Sequence, residues 1–110
     1  MRRGQIWTVS GGPHYAGKPR PAAIIQDDRF DTDSVTICPF TSDPTDAPLF
    51  RLEVQPTATT GLRGPSRLMV DKLTTVSRSK LGDPIGVLEN ADLVRLNRAV
   101  VVFLGIAPAS

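Results

Sequence analysis

A single cysteine, Cys38, and a single histidine, His14, are the only soft metal ligands in the chain. One cysteine excludes an internal disulfide, and the two residues together fall short of a structural zinc site. Catalysis through a thiolate–metal centre is therefore excluded. Cys38, in the run Val35-Thr36-Ile37-Cys38-Pro39, reads as a small buried hydrophobe. Long apolar runs are also missing: the longest, Ala99–Leu104, is far shorter than the roughly 20 residues a membrane crossing needs. The opening Met1-Arg2-Arg3-Gly4 passes straight into Gln5-Ile6-Trp7-Thr8-Val9 with no signal-peptide apolar stretch, so a cytoplasmic address is expected. Aromatics are few (Trp7, Tyr15, Phe30, Phe40, Phe50 and Phe103), and most are expected in the core. That weakens any reading as an SH3-like adaptor, which needs an aromatic-lined groove for proline-rich peptides. Charge is close to balance, with 13 basic and 11 acidic residues giving +2, which is compatible with a phosphate ligand without identifying one.

What remains is enough for one packed domain spanning residues 1–110, with 40% hydrophobic and 22% charged residues. Short β-rich runs alternate with turn residues, the pattern of an antiparallel barrel or sandwich. They cover Gln5 to Val9, Pro21 to Gln26, Ser34 to Phe40, Phe50 to Val54 and Pro84 to Leu88. Ser66 to Val70 and Lys72 to Val76 read as a pair of extended segments. The second run is nearly all apolar, which predicts burial on both faces. From Asn90, a candidate N-cap, the period changes: Leu93, Leu96, Val100 and Leu104 mark one helix face, widened by Val101 and Phe103. Gly105 fits the C-terminal stop and Pro108 prevents resumption. Arg78, Arg95 and Arg98 read as solvated. The fold expected is α+β, mostly β, closed by a C-terminal helix.

Two stretches carry the chemistry. In "KPRPAAII", Arg20 sits between Pro19 and Pro21 at the mouth of an apolar strand, and proline restricts both itself and the residue before it. In "CPFTSDP", Thr41 and Ser42 follow the apolar third strand. If the second and third strands pair antiparallel, Arg20 at the start of one lies near Thr41 at the end of the next. A guanidinium fork beside a hydroxyl suits a phosphodiester. RNA would bring its own nucleophile, the 2′-hydroxyl, and would leave a 2′,3′-cyclic phosphate and a 5′-hydroxyl without a metal. On these residues alone, a structural arginine and a plain Thr-Ser turn stay open as the alternative.

"MRRGQIW", "KPRPAAII", "CPFTSD" and "LGDPIGVLENADLVRLNRAVVVFLG", in that order, resemble the MazF/PemK-like toxins over nearly the whole chain. The resemblance implies a small SH3-like antiparallel barrel with a C-terminal helix, and a homodimer. It also implies sequence-specific cleavage of single-stranded RNA without metal or cofactor, and silencing by a cognate MazE-like antitoxin. The family's arginine of the Arg-Pro motif falls on Arg20 and its threonine at the end of the third strand on Thr41, the two catalytic candidates. Ser66 and Asp71 match positions near the RNA groove in relatives, and Arg3 a basic residue of the opening motif; Lys18 and Ser42 join them as RNA-binding candidates. Many members carry a glutamate in the loop before Arg-Pro. Here that loop reads "GGPHYAGKPRP", so His14 or Tyr15 takes its place, the one with a pKa suited to proton transfer, the other able to stack on a base. Lys72 stands where relatives often have glutamine, and Met69 where some have an arginine that Arg67 could replace. The rival function within this fold is a non-enzymatic toxin that poisons DNA gyrase by binding it.

Overall fold

The computed structural model describes residues 1–10 and 18–108, so His14 and Tyr15 lie outside the described residues. Seven strands and one long helix follow in chain order: β1 (Gln5–Val9), β2 (Arg20–Ile24), β3 (Ser34–Thr41), β4 (Arg51–Val54), β5 (Ser66–Met69), β6 (Thr74–Ser77), β7 (Leu81–Val87) and α1 (Asn90–Phe103). All pairings are antiparallel, with order β4-β5-β3-β2-β1-β7 and β6 added to β3.

The apolar character of β2 has the expected consequence. Ala23 belongs to the main core with Ile6, Cys38, Leu68 and Leu96. Ala22 and Ile24 point the other way, into a second cluster with Val9, Val35 and Ile37. Both faces of the strand are buried, as its lack of polar alternation requires.

Ser66 to Val70 and Lys72 to Val76 do not pair with each other. A single 3₁₀ turn, Val70–Lys72, separates β5 from β6, and each pairs with a different half of β3. The N-terminal half, Ser34–Ile37, takes β6; Phe40 and Thr41 take β5. The partners change across Cys38-Pro39, where proline has no N–H for a continuous ladder. β7 begins at Leu81 rather than Pro84, and its register against β1 shifts around Trp7, opposite Pro84. An edge strand tolerates a proline at such a bulge.

The barrel is not closed by strand pairing, because β4 and β7 share no ladder. The seam is drawn together by the turn after β4. Val87 N–H donates to Thr59 O at 2.9 Å, and Thr60 is fully buried. Gly61, at φ +68°, lies so near β7 that a Cβ on it would stand 1.9 Å from Ile85 O; one on Gly86 would stand 2.1 Å from Thr60 O. Only glycine fits on either side of this crossing.

Helix α1 buries Leu96 and Ala99, with Leu93 and Val100 at the core margin. Its N-cap is Glu89 rather than Asn90, with no side-chain cap; the Glu89 carboxylate instead accepts from Thr57 Oγ1 at 3.1 Å. Leu104 was expected on the core stripe and is 56% exposed, as the C-cap residue just past the last helical residue, Phe103. Gly105 at φ +75° closes it, with Ile106 N–H donating to Val101 O and Gly105 N–H to Val102 O, a Schellman motif. Aromatics contribute less to the core than their scarcity implied. Phe40 is buried, whereas Phe30 and Phe103 are about half exposed, Phe30 under the Arg29 guanidinium and Phe103 against Phe50. Nor are Arg78 and Arg95 merely solvated: Arg78 holds Asp31 and Thr32 O, and Arg95 holds Asp92 and Glu53 O. No helix among the described residues is long and apolar enough to cross a membrane.

Candidate functional site

β2 and β3 pair through Ala22↔Pro39, Ala23↔Cys38 and Ile24↔Ile37. The same register, continued two residues, sets Arg20, which opens β2, opposite Thr41, which ends β3. Both line one cleft of about 630 Å³ together with Lys18, Ser42 and Ser66. Buried Phe40 and Leu62 form its apolar base. The segments Lys18–Pro21 and Gly61–Ser66 both contribute to its lining. The antiparallel pairing expected from the sequence thus brings the arginine and the threonine to one rim.

Arg20 is exposed, and among the described residues its guanidinium has no hydrogen-bond or ion-pair partner. The flanking prolines restrict its backbone, so the fork is presented at reduced conformational cost. The Thr41 hydroxyl accepts from Asp43 N–H at 3.1 Å. Its own proton stays available, since a hydroxyl is one donor and two acceptors. The turn that follows is tightly tied. Asp43 accepts from Thr45 Oγ1 at 2.8 Å and Thr45 N–H at 3.0 Å, which holds its carboxyl below the usual range, and Arg67 donates to Asp43 O at 3.3 Å.

The charge of the cleft has one sign. Its ionisable lining among the described residues is Lys18, Arg20 and Arg63, with no carboxylate. A smaller hollow of about 260 Å³ has the opposite character, with Asp27, Asp28 and Asp31, and its Arg78 is already committed to Asp31 at 3.0 Å. Of the two, only the larger suits a polyanion. No group of three metal-ligating side chains occurs among the described residues.

Two candidates do not join the cleft. Arg3 donates to Ile25 O at 2.9 Å and Asn97 Oδ1 at 2.6 Å, linking the end of β2 to α1. Asp71 is gripped by Arg51 through two bonds of 2.7 and 2.9 Å. That grip holds the Asp71 carboxyl below the usual range and raises Arg51 in turn. Arg67 is turned to Glu53, at 3.8 Å, and to the Asp43 turn. Cys38 is fully buried and burial pushes its thiol up to about 12, so it is no nucleophile. Sequence reasoning missed Arg63. Its only signal was a cation inside Gly61-Leu62-Arg63-Gly64-Pro65, a run with the composition of any loop.

The model of the PemK-like, MazF-like toxins of type II toxin–antitoxin systems matches residues 2–104. The chain belongs to this family. It is 57% identical to a probable endoribonuclease MazF of Mycolicibacterium smegmatis, over 97% of this chain and 99% of that one. It is 29% identical to the endoribonuclease MazF9 of Mycobacterium tuberculosis, over 94% and 96% of the two chains. Among solved structures, a mycobacterial endoribonuclease in complex with its cognate antitoxin superposes with a TM-score of 0.80 at 22% identity, covering 97% of each chain. The Mycobacterium tuberculosis toxin MazF-mt6 does so with 0.77 at 24% identity, covering 92% and 96%. At such identities these structures bear out the MazF-like fold expected from the sequence.

Proposed function

We propose that this chain is the toxin of a type II toxin–antitoxin pair, a metal-independent endoribonuclease that cuts single-stranded RNA at a short sequence. The observation that carries this reading is the cleft shared by Arg20 and Thr41, whose charged lining among the described residues is all cationic. Family membership and the endoribonuclease relatives support the same reading.

In the reaction, the ribose 2′-oxygen attacks the adjacent phosphorus, the O2′–P bond forms and the P–O5′ bond breaks. The proton leaves O2′ for His14 or solvent, and O5′ takes up a proton from solvent on departure. The products are a 2′,3′-cyclic phosphate and a 5′-hydroxyl. Arg20 binds the non-bridging oxygens with two donors as charge collects on them, and Thr41 adds its hydroxyl proton. The described lining holds no carboxylate to bind a divalent ion, and this route requires none. Replacing the ribose at the cut by 2′-deoxyribose tests it. Cleavage disappears if O2′ is the nucleophile, and cutting of the deoxy substrate would rule the route out.

The partners follow from the same reading. A MazE-like antitoxin silences the toxin, as the solved toxin–antitoxin complexes of its structural relatives support. The toxin acts as a homodimer in the cytoplasm, and the exposed apolar Val94, Leu104 and Ile106 along and beyond α1 support an interface with a second copy.

A further inference from the structure

We propose that Arg63 is a second phosphate-binding arginine of the cleft, holding an RNA phosphate other than the one cut. The inference rests on the reading of this cleft as an RNA-cleaving site.

The first observation is how the chain uses its arginines. Arg3, Arg29, Arg51, Arg67, Arg78 and Arg95 each have a side-chain hydrogen bond or ion pair within the protein. Among the described residues Arg20 and Arg63 have none, and they line the same cleft. Arg2 and Arg98 also lack one, and neither lines it. The second is the wall from which Arg63 projects. Leu62 before it is buried, and Thr60 before that exchanges hydrogen bonds with Thr57, its N–H donating to Thr57 Oγ1 at 3.1 Å and its Oγ1 accepting from Thr57 N–H at 3.0 Å. The Gly61–Gly86 crossing fixes the same segment to β7. The backbone of Arg63 is therefore set before any ligand arrives, which lowers the ordering cost of binding. The third is size. A volume of about 630 Å³ is that of a site for a ligand of many atoms, well beyond one phosphate group. Arg20 and Arg63 reach the cleft from two separate segments, Lys18–Pro21 and Gly61–Ser66, so a strand lying in it has two unpartnered guanidiniums to meet. Because Arg63 holds a phosphate that does not react, it binds ground state and transition state alike, and its loss is read in KM.

The test uses the full-length protein and an oligoribonucleotide carrying a sequence it cuts. A neutral methylphosphonate is placed at one non-scissile phosphate at a time. Arg63→Ala is expected to raise KM about tenfold at low salt with a much smaller change in kcat, and Arg63→Lys to recover part of the loss. One methylphosphonate position raises the wild-type KM by a similar factor and adds nothing in Arg63→Ala. The salt slope of binding falls by about 0.7, the share of one phosphate on a single strand. Arg63 is exposed, so the thermal midpoint should not move. A KM within twofold of wild type, or methylphosphonate effects identical in both proteins at every position, would overturn the assignment while leaving the cleft intact. Failure of the wild type to cut RNA at all would overturn the underlying reading, and the assignment with it.

Discussion

Arg20 opens β2 and Thr41 ends the adjacent antiparallel β3, and the register through Ala22 and Pro39 places them opposite each other at the rim of one cationic cleft. If the guanidinium acts as a two-pronged donor, charge alone does not replace it. Arg20→Lys is expected to lower kcat by about 10²-fold, within the range for loss of one preorganised donor. Thr41→Ser should keep most activity and Thr41→Val lose most of it, since serine keeps the hydroxyl and valine keeps only the shape. Single-turnover rates at saturating RNA read these effects.

The crossing of Gly61 and Gly86 makes a second prediction. A methyl group at either position meets backbone oxygen at about 2 Å, and Gly61 also has positive φ. Backbone cannot yield as a side chain end does, so Gly86→Ala or Gly61→Ala should cost about 3 kcal/mol or more. Calorimetry should show the midpoint falling by about 10 °C or more. An alanine variant as stable as wild type would disprove the close approach.

Acid sensitivity should trace to Arg51 and Asp71. The Asp71 carboxyl is held below its ordinary value by its bonds to Arg51, and the two side chains are only 14% and 20% exposed. A carboxyl with a depressed folded pKa contributes stability above its unfolded pKa, near 3.9, and that contribution is lost as pH falls through the folded value. Urea unfolding at pH 7 should show Asp71→Asn weaker than wild type by about 2 kcal/mol, between an exposed and a fully buried pair. The gap should narrow towards pH 3 and below.

Cys38 should be silent to thiol reagents. It is fully buried in β3 and its thiol is pushed up to about 12, so thiolate is scarce at pH 8. One thiol should react in guanidinium and essentially none in the folded protein over the same minutes.

Sequence made the strands of the core legible because their apolar pattern is local. The all-apolar Ala22–Ile24 announces a strand buried twice, and Leu96 and Val100 mark a helix face. It also predicted the Arg20–Thr41 juxtaposition, which needs only two neighbouring strands and their direction. The change of partner along β3 was hidden, because which strand meets which half depends on a single missing N–H at Pro39. The fate of Leu104 turned on where the helix stops, at Phe103, two residues before the glycine. Arg63 was hidden for a different reason: its loop is held beside β7 where Gly61 and Gly86, 25 positions apart in sequence, cross at the seam. Arg3 and Asp71 carried the right residue types, and their partners Asn97 and Arg51 lie far along the chain.

The most direct test incubates purified protein with long single-stranded RNA in EDTA and maps the new 5′-hydroxyl ends, with Arg20→Ala and Thr41→Ala alongside. The account predicts discrete cuts at one short sequence, absent or reduced by at least 10²-fold in both variants, whose folding is unchanged. Cutting that persists in both variants would contradict the site. No cutting of any of several diverse RNAs would contradict the nuclease itself and turn attention to gyrase binding, read by a supercoiling assay.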